Sequence, residues 1–204
     1  MNVHSRSLGP FETNCYFFEY HNHGFLVDPG DVEVTDFLTH LAKRVDFILL
    51  THGHVDHVLG IDAVRKLYPQ VQIALAEGDR HWFEKVDLQA SMFGLRRQFV
   101  PTPDIWLVPP CEIENIKVIA TPGHTPGSVC YFIPDENIVF SGDTLFAGGV
   151  GRTDFPGGSW NQLVHSIQHL YRNLPPETQV YPGHGPPTTL QEEKRSNPFV
   201  PEKR

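Results

Sequence analysis

The stretch THGHVDH, residues 51–57, places four metal-capable side chains, His52, His54, Asp56 and His57, within six positions. In extended backbone alternate residues share a face, so His52 and His54 point the same way and can grip one ion. As the chain turns toward a following helix, Asp56 and His57 are aimed elsewhere and can grip a second. Neutral imidazole and carboxylate suit zinc, and equally iron or manganese, and a cluster without cysteine is not a structural cysteine-rich zinc site. Three further candidates sit in turn-forming contexts: His124 in TPGHTPGS, Asp143 in SGDT and His184 in YPGHG. Gly and Pro beside them let a loop present each side chain without a helix around it. Taken singly, each reads as a turn residue; together they add three ligands.

These residues need strand ends to hold them, and the sequence offers such ends. GFLVDPGD reads as a short apolar strand ending in a turn at Asp28, Pro29 and Gly30, and DVEVTDFLTHLAKR has helical spacing. VDFILL is a nearly continuous apolar run, expected of a strand buried on both faces, and leads directly into THGHVDH. VLGIDAVRKLYP predicts one helix stopped by Pro69, and VQIALA another strand. From Glu77 to about Val100 the pattern is helix-like but mixed, with Trp82, Phe83, Phe93 and Phe99, and PTPDIWLVPP closes it. Buried core packing is the commoner fate of such aromatics, Trp106 included; a substrate wall or subunit contact are the other options. The carboxyl half predicts strands at IKVIAT, SVCYFIP, NIVFSGD and TQVYPGH, with one helix, NQLVHSIQHLYRNL, before the last. Alternating strands and helices with chemistry at strand ends predict a layered α/β domain.

The 204 residues fit one domain, with no linker or repeat in view, and can bury a core without disulfides. Cys15, Cys111 and Cys130, odd in number and widely spaced, suit reduced thiols packed as small apolar residues. No stretch approaches the roughly 20 apolar residues of a membrane span, and the amino terminus lacks a signal-peptide pattern. The expectation is a cytoplasmic protein. A net charge of −8 offers no basic footprint for nucleic acid, so small molecules are the expected substrates.

HxHxDH, then the PGHT histidine, then GDTLF, then YPGHG, in this order, resembles the metallo-β-lactamase superfamily over Asp28 to His184. The resemblance implies a four-layer αββα sandwich in a single domain, residues 1–204. It also implies two divalent ions, zinc foremost: His52, His54 and His124 on the first, Asp56, His57 and His184 on the second, Asp143 bridging, and a hydroxide between the ions. Such a hydroxide attacks without a Ser or Cys nucleophile, and Asp56, beside it, would orient it or take its proton. Asp28 would hold a ligand imidazole from behind, or be a plain turn aspartate.

GDTLFAGGVGRTDFPGGS is similar to the glyoxalase II branch, in which a glycine-rich turn and a basic residue follow the metal aspartate. By that likeness Arg152 would pair with a substrate carboxylate; a loop salt bridge is its alternative. The tail EEKRSNPF looks like the short bacterial relatives of glyoxalase II, which implies that the carboxyl-terminal helical domain holding glutathione is missing. The implied activity is hydrolysis of a thioester such as S-lactoylglutathione. The principal alternative is a mononuclear iron persulfide dioxygenase, which also carries GRTDF and would use His52, His124 and Asp143. GDTLF and PGHG, where the dioxygenase pattern tends toward GDALL and PAHD, favour the hydrolase. A lactonase and a metal-stapled, non-enzymatic module are further alternatives.

Overall fold

Alternating and short apolar runs dominate the first half of the chain, and a six-stranded sheet is the result. The computed structural model describes residues 1–96 and 99–201, so part of the helix-like stretch, at 97–98, lies outside the described residues. The chain divides into two compact units, residues 1–107 and residue 108 onward. In the first, strands β1 (Val3–Leu8), β2 (Thr13–Tyr20), β3 (His23–Val27), β4 (Phe47–Leu49), β5 (Gln72–Ala76) and β6 (Ile105–Leu107) pair in sequence order. β1, β2 and β3 are antiparallel neighbours, and β3 through β6 run parallel. The parallel pairs explain the unbroken apolar runs: Leu26, Ile48, Leu49, Ile73 and Leu75 are fully buried.

Helix α1 (Val34–Leu41) joins β3 to β4, with Val34, Phe37 and Leu38 buried. Between β4 and β5 the single predicted helix is two, α2 (Val55–Val58) and α3 (Ile61–Leu67). The break is at Gly60. Its N–H donates to the Pro29 carbonyl at 2.8 Å, drawing the THGHVDH segment onto the turn that follows β3. The same packing fixes Gly30, where a Cβ would collide with the carbonyl of Asp56. After β5 the mixed segment resolves into a 3₁₀ turn (Glu77–Asp79) and two short helices, α4 (Arg80–Phe83) and α5 (Val86–Met92). Core packing holds for Phe83, but Phe93 and Phe99 are 43 % and 72 % exposed. α5 buries Val86, Gln89 and Ala90 and turns Leu88 and Met92 outward.

The second unit is also a six-stranded sheet. Its elements are β7 (Cys111–Ile113), β8 (Ile116–Ala120), β9 (Val129–Ile133), β10 (Ile138–Gly142), the small hairpin β11 (Leu145–Phe146) and β12 (Gly149–Val150), α6 (Trp160–Asn173), β13 (Gln179–Pro182), β14 (Thr188–Thr189) and α7 (Leu190–Ser196). The order is β14-β13-β10-β9-β8-β7, with only β10 and β13 parallel. α6 begins at Ser159, whose hydroxyl caps Gln162 N–H, and buries Leu163, Ile167, Leu170 and Tyr171 at helical spacing against Cys130, Phe132, Val139 and Val180. The tail is structural. Buried Glu193 of α7 accepts from Gly148 N–H at 3.0 Å, and Asn197 donates to the Gly149 carbonyl at 3.1 Å, so α7 braces the glycine-rich turn after GDTLF.

Candidate metal centre

Within the first unit the four residues of THGHVDH lie where β4 ends and α2 begins, in the loop where parallel sheets place chemistry. His52, His54 and His57 are buried. The His52 Nε2 lies 3.2 Å from His54 Nδ1, the rings of His52 and His57 are 4.1 Å apart, and His57 Nε2 is 3.5 Å from Asp56 Oδ2.

Asp28 explains how two of these rings are oriented. Its φ of +49° turns the carboxylate back under the ligand loop, a left-handed conformation that Asp tolerates. Oδ1 accepts from Thr51 N–H at 2.8 Å; Oδ2 accepts from the Thr51 hydroxyl at 2.7 Å and from His57 Nδ1 at 2.9 Å. The Thr51 hydroxyl has one proton, and Asp28 takes it. Its 3.0 Å contact with His52 Nδ1 therefore requires the proton on that nitrogen. Both His52 and His57 are thus protonated at Nδ1, which leaves each Nε2 with a lone pair for a cation. Asp56 is held in turn by buried Thr13, whose hydroxyl donates to Oδ2 at 2.9 Å.

The second unit repeats the device. His124, 3 % exposed, sits in the turn between β8 and β9 and donates Nδ1–H to the carbonyl of Arg152 at 2.7 Å, a bond that again leaves Nε2 with a lone pair. Asp143 follows β10. Its Oδ2 is 3.5 Å from His124 Nε2 and 3.6 Å from Nε2 of His184, which follows β13. Gly151 is where the chain doubles back: a Cβ there would collide with the Asp143 carbonyl. The donor set fits divalent metal in both units, since imidazoles tied at one nitrogen and carboxylates close by are what such an ion needs.

The Arg152 carbonyl holds the His124 ring from behind, while its guanidinium forms a bidentate pair with Asp154 at 2.6 and 2.7 Å and stacks on Phe155. The hydrogen bonds from Arg152 hold Asp154 down to about 2, so the pair persists at neutral pH. The loop salt bridge is the arrangement present. All three cysteines are free. Burial raises Cys15 well above the usual thiol range and Cys130 to about 11, so neither is a ready nucleophile. The outer partners Thr51, Thr13 and the Arg152 carbonyl were not singled out by sequence. Thr51 adjoins the motif and could have been weighed; a backbone carbonyl leaves no mark in residue type.

The model of the Metallo-beta-lactamase superfamily matches residues 8–184. The chain belongs to this superfamily. The hydroxyacylglutathione hydrolase GloC of Haemophilus influenzae is 35 % identical over 209 residues, covering 98 % of this chain and 98 % of that protein, which supports a glyoxalase II-like branch. Among solved structures, TTHA1623 in a di-iron-bound form has a TM-score of 0.91 at 37 % identity, covering 97 % of this chain and all of that one. ETHE1 from Myxococcus xanthus has a TM-score of 0.81 at 28 % identity, covering all of this chain and 86 % of that one. The α/β metallo-β-lactamase fold expected from the motifs is borne out, as is membership of a metallohydrolase superfamily. Zinc as the metal does not follow, since a near neighbour carries iron. Among the described residues no helix is long and apolar enough to cross a membrane.

Proposed function

We propose that the protein is a binuclear metallohydrolase of a single domain, cleaving a small thioester of the S-lactoylglutathione class. His52, His54 and His124 hold one ion, Asp56, His57 and His184 the other, and Asp143 serves both. The observation that carries this is the protonation pattern: His52, His57 and His124 each have Nδ1 engaged and Nε2 left for metal. Near full-length likeness to GloC supports the thioester as substrate. Zinc remains the first choice of metal, with iron or manganese as alternatives. The three free thiols suit a cytoplasmic setting.

When bound, two divalent ions bring the pKa of water toward about 7 and polarise a carbonyl. Asp56 is the catalytic residue: steadied by Thr13, its carboxylate orients the attacking water and takes its proton. Water oxygen bonds to the acyl carbon, the carbon–sulfur bond breaks, and the proton passes to the departing sulfur. Asp28 sets the rings of His52 and His57 from behind.

Arg152 is assigned a substrate carboxylate, for which it must exchange Asp154. Arg152→Ala is then expected to raise KM more than it lowers kcat, and Asp154→Asn to lower KM. An unchanged KM in both variants would leave Arg152 as a brace of its own loop.

The second reading, a mononuclear iron persulfide dioxygenase on His52, His124 and Asp143, is supported by the likeness to ETHE1. Thiol release from S-lactoylglutathione, beside oxygen uptake with glutathione persulfide, separates them. Chelator-sensitive thiol release without oxygen uptake is the expected result; oxygen uptake without thiol release would replace the hydrolase with the dioxygenase.

A further inference from the structure

The segment after β5 reaches the THGHVDH loop through two buried polar side chains. Asp79, fully buried, accepts from Gly53 N–H through Oδ2 at 2.7 Å. Gln89, 4 % exposed, accepts from Val55 N–H through Oε1 at 3.0 Å and donates through Nε2 to the carbonyls of Gly53, at 3.2 Å, and Trp82, at 2.9 Å. The peptide groups on both sides of His54 are thereby fixed by α5 and the turn before α4. Contact is close: a Cβ at Gly53 would lie 3.1 Å from both the Asp79 carbonyl and the Trp82 Cβ, and the Trp82 ring stands edge-on to His54 at 4.8 Å.

An amide is the one uncharged side chain of this length that can meet a donor and two acceptors at once. A buried Gln and Asp spent on three peptide groups of one loop is more than a short helix start requires, because Val55 N–H alone belongs to the start of α2. Ligand side chains must be held to within roughly half an ångström for a site to work, and backbone placement is where that tolerance begins.

We propose that Asp79 and Gln89 are positioning residues for the first metal ion, fixing the backbone that aims His52 and His54. This rests on the assignment of those two histidines as ligands.

The test compares metal-stripped wild type with Gln89→Met, which keeps the volume and loses the three bonds, Asp79→Ala, and Asp79→Asn, which keeps an acceptor for Gly53 N–H. Zn²⁺ is titrated against a chromophoric chelator, the visible spectrum of the Co²⁺-loaded protein is recorded, and thermal unfolding of the stripped proteins is measured alongside. One of two Zn²⁺ is expected to bind about 10- to 100-fold more weakly in Gln89→Met and Asp79→Ala, the usual cost of losing an outer partner, with an altered Co²⁺ spectrum and near wild-type behaviour in Asp79→Asn. Unchanged affinity and spectrum, even with lowered thermal stability, would overturn the proposal and leave two residues that merely stabilise the loop. Should Asp79→Ala not fold, Gln89→Met decides. A wild-type protein that binds no Zn²⁺ would instead overturn the two-ion assignment, and this proposal with it.

Discussion

Asp143→Ala is expected to abolish hydrolysis and to weaken the binding of both ions together. Asp143 follows β10 with Oδ2 at 3.5 Å from His124 Nε2 and 3.6 Å from His184 Nε2, so one carboxylate stands beside a ligand proposed for each ion. Removing it should cost more than the about 10- to 100-fold in affinity that follows loss of an outer partner, because a negative charge in direct contact with metal disappears. Alanine is tolerated sterically, and Ser141, which donates to the Leu145 carbonyl at 2.8 Å, keeps the turn in place. Metal content after dialysis and residual turnover measure the effect. A variant retaining two ions and full activity would exclude Asp143 as the shared ligand.

The second large effect belongs to Asp28→Asn. Asn accepts the positive φ that Asp28 adopts, so backbone strain is not what changes. With the amide carbonyl on Thr51 N–H, the amide nitrogen faces the Thr51 hydroxyl and His57 Nδ1, where Asp28 now accepts two hydrogen bonds. A donor in that place drives the His57 proton to Nε2 and removes the lone pair meant for metal. The expected result is about 10- to 100-fold weaker metal binding, with the tautomer change visible in ring-nitrogen NMR shifts of the stripped protein. Unaltered shifts and affinity would return Asp28 to the status of a turn aspartate.

The candidate ligands were legible because their chemistry is written in residue type. Four metal-capable side chains in six residues after an apolar run located a strand-end loop, and β4 and α2 flank it as expected. Asp28 was suspected from the VDPG turn alone. What was hidden is the scaffolding that acts through the backbone. The carbonyl of Arg152 could not be foreseen, and the same residue's guanidinium drew attention because Arg near a metal aspartate suggests a substrate anion; Asp154, two positions on, has it instead. Asp79 and Gln89 lay in a stretch whose helical period is interrupted every four to seven residues, too short for the pattern to assign faces. The break at Gly60 was missed for a related reason: the apolar spacing of Val58, Ile61 and Val64 continues through it, while the bond to Pro29 that stops the helix is made 31 residues away. Composition cannot report a tertiary contact of that kind.

Stepwise metal restoration decides whether two ions and thioester hydrolysis belong together in this chain. Metal-stripped protein is titrated with Zn²⁺, and separately with Fe²⁺ and Mn²⁺, while thiol release from S-lactoylglutathione is followed. Turnover that is absent without metal and rises until two ions per chain are bound is the result predicted. Turnover that survives removal of metal, or that never appears at any loading, would contradict it.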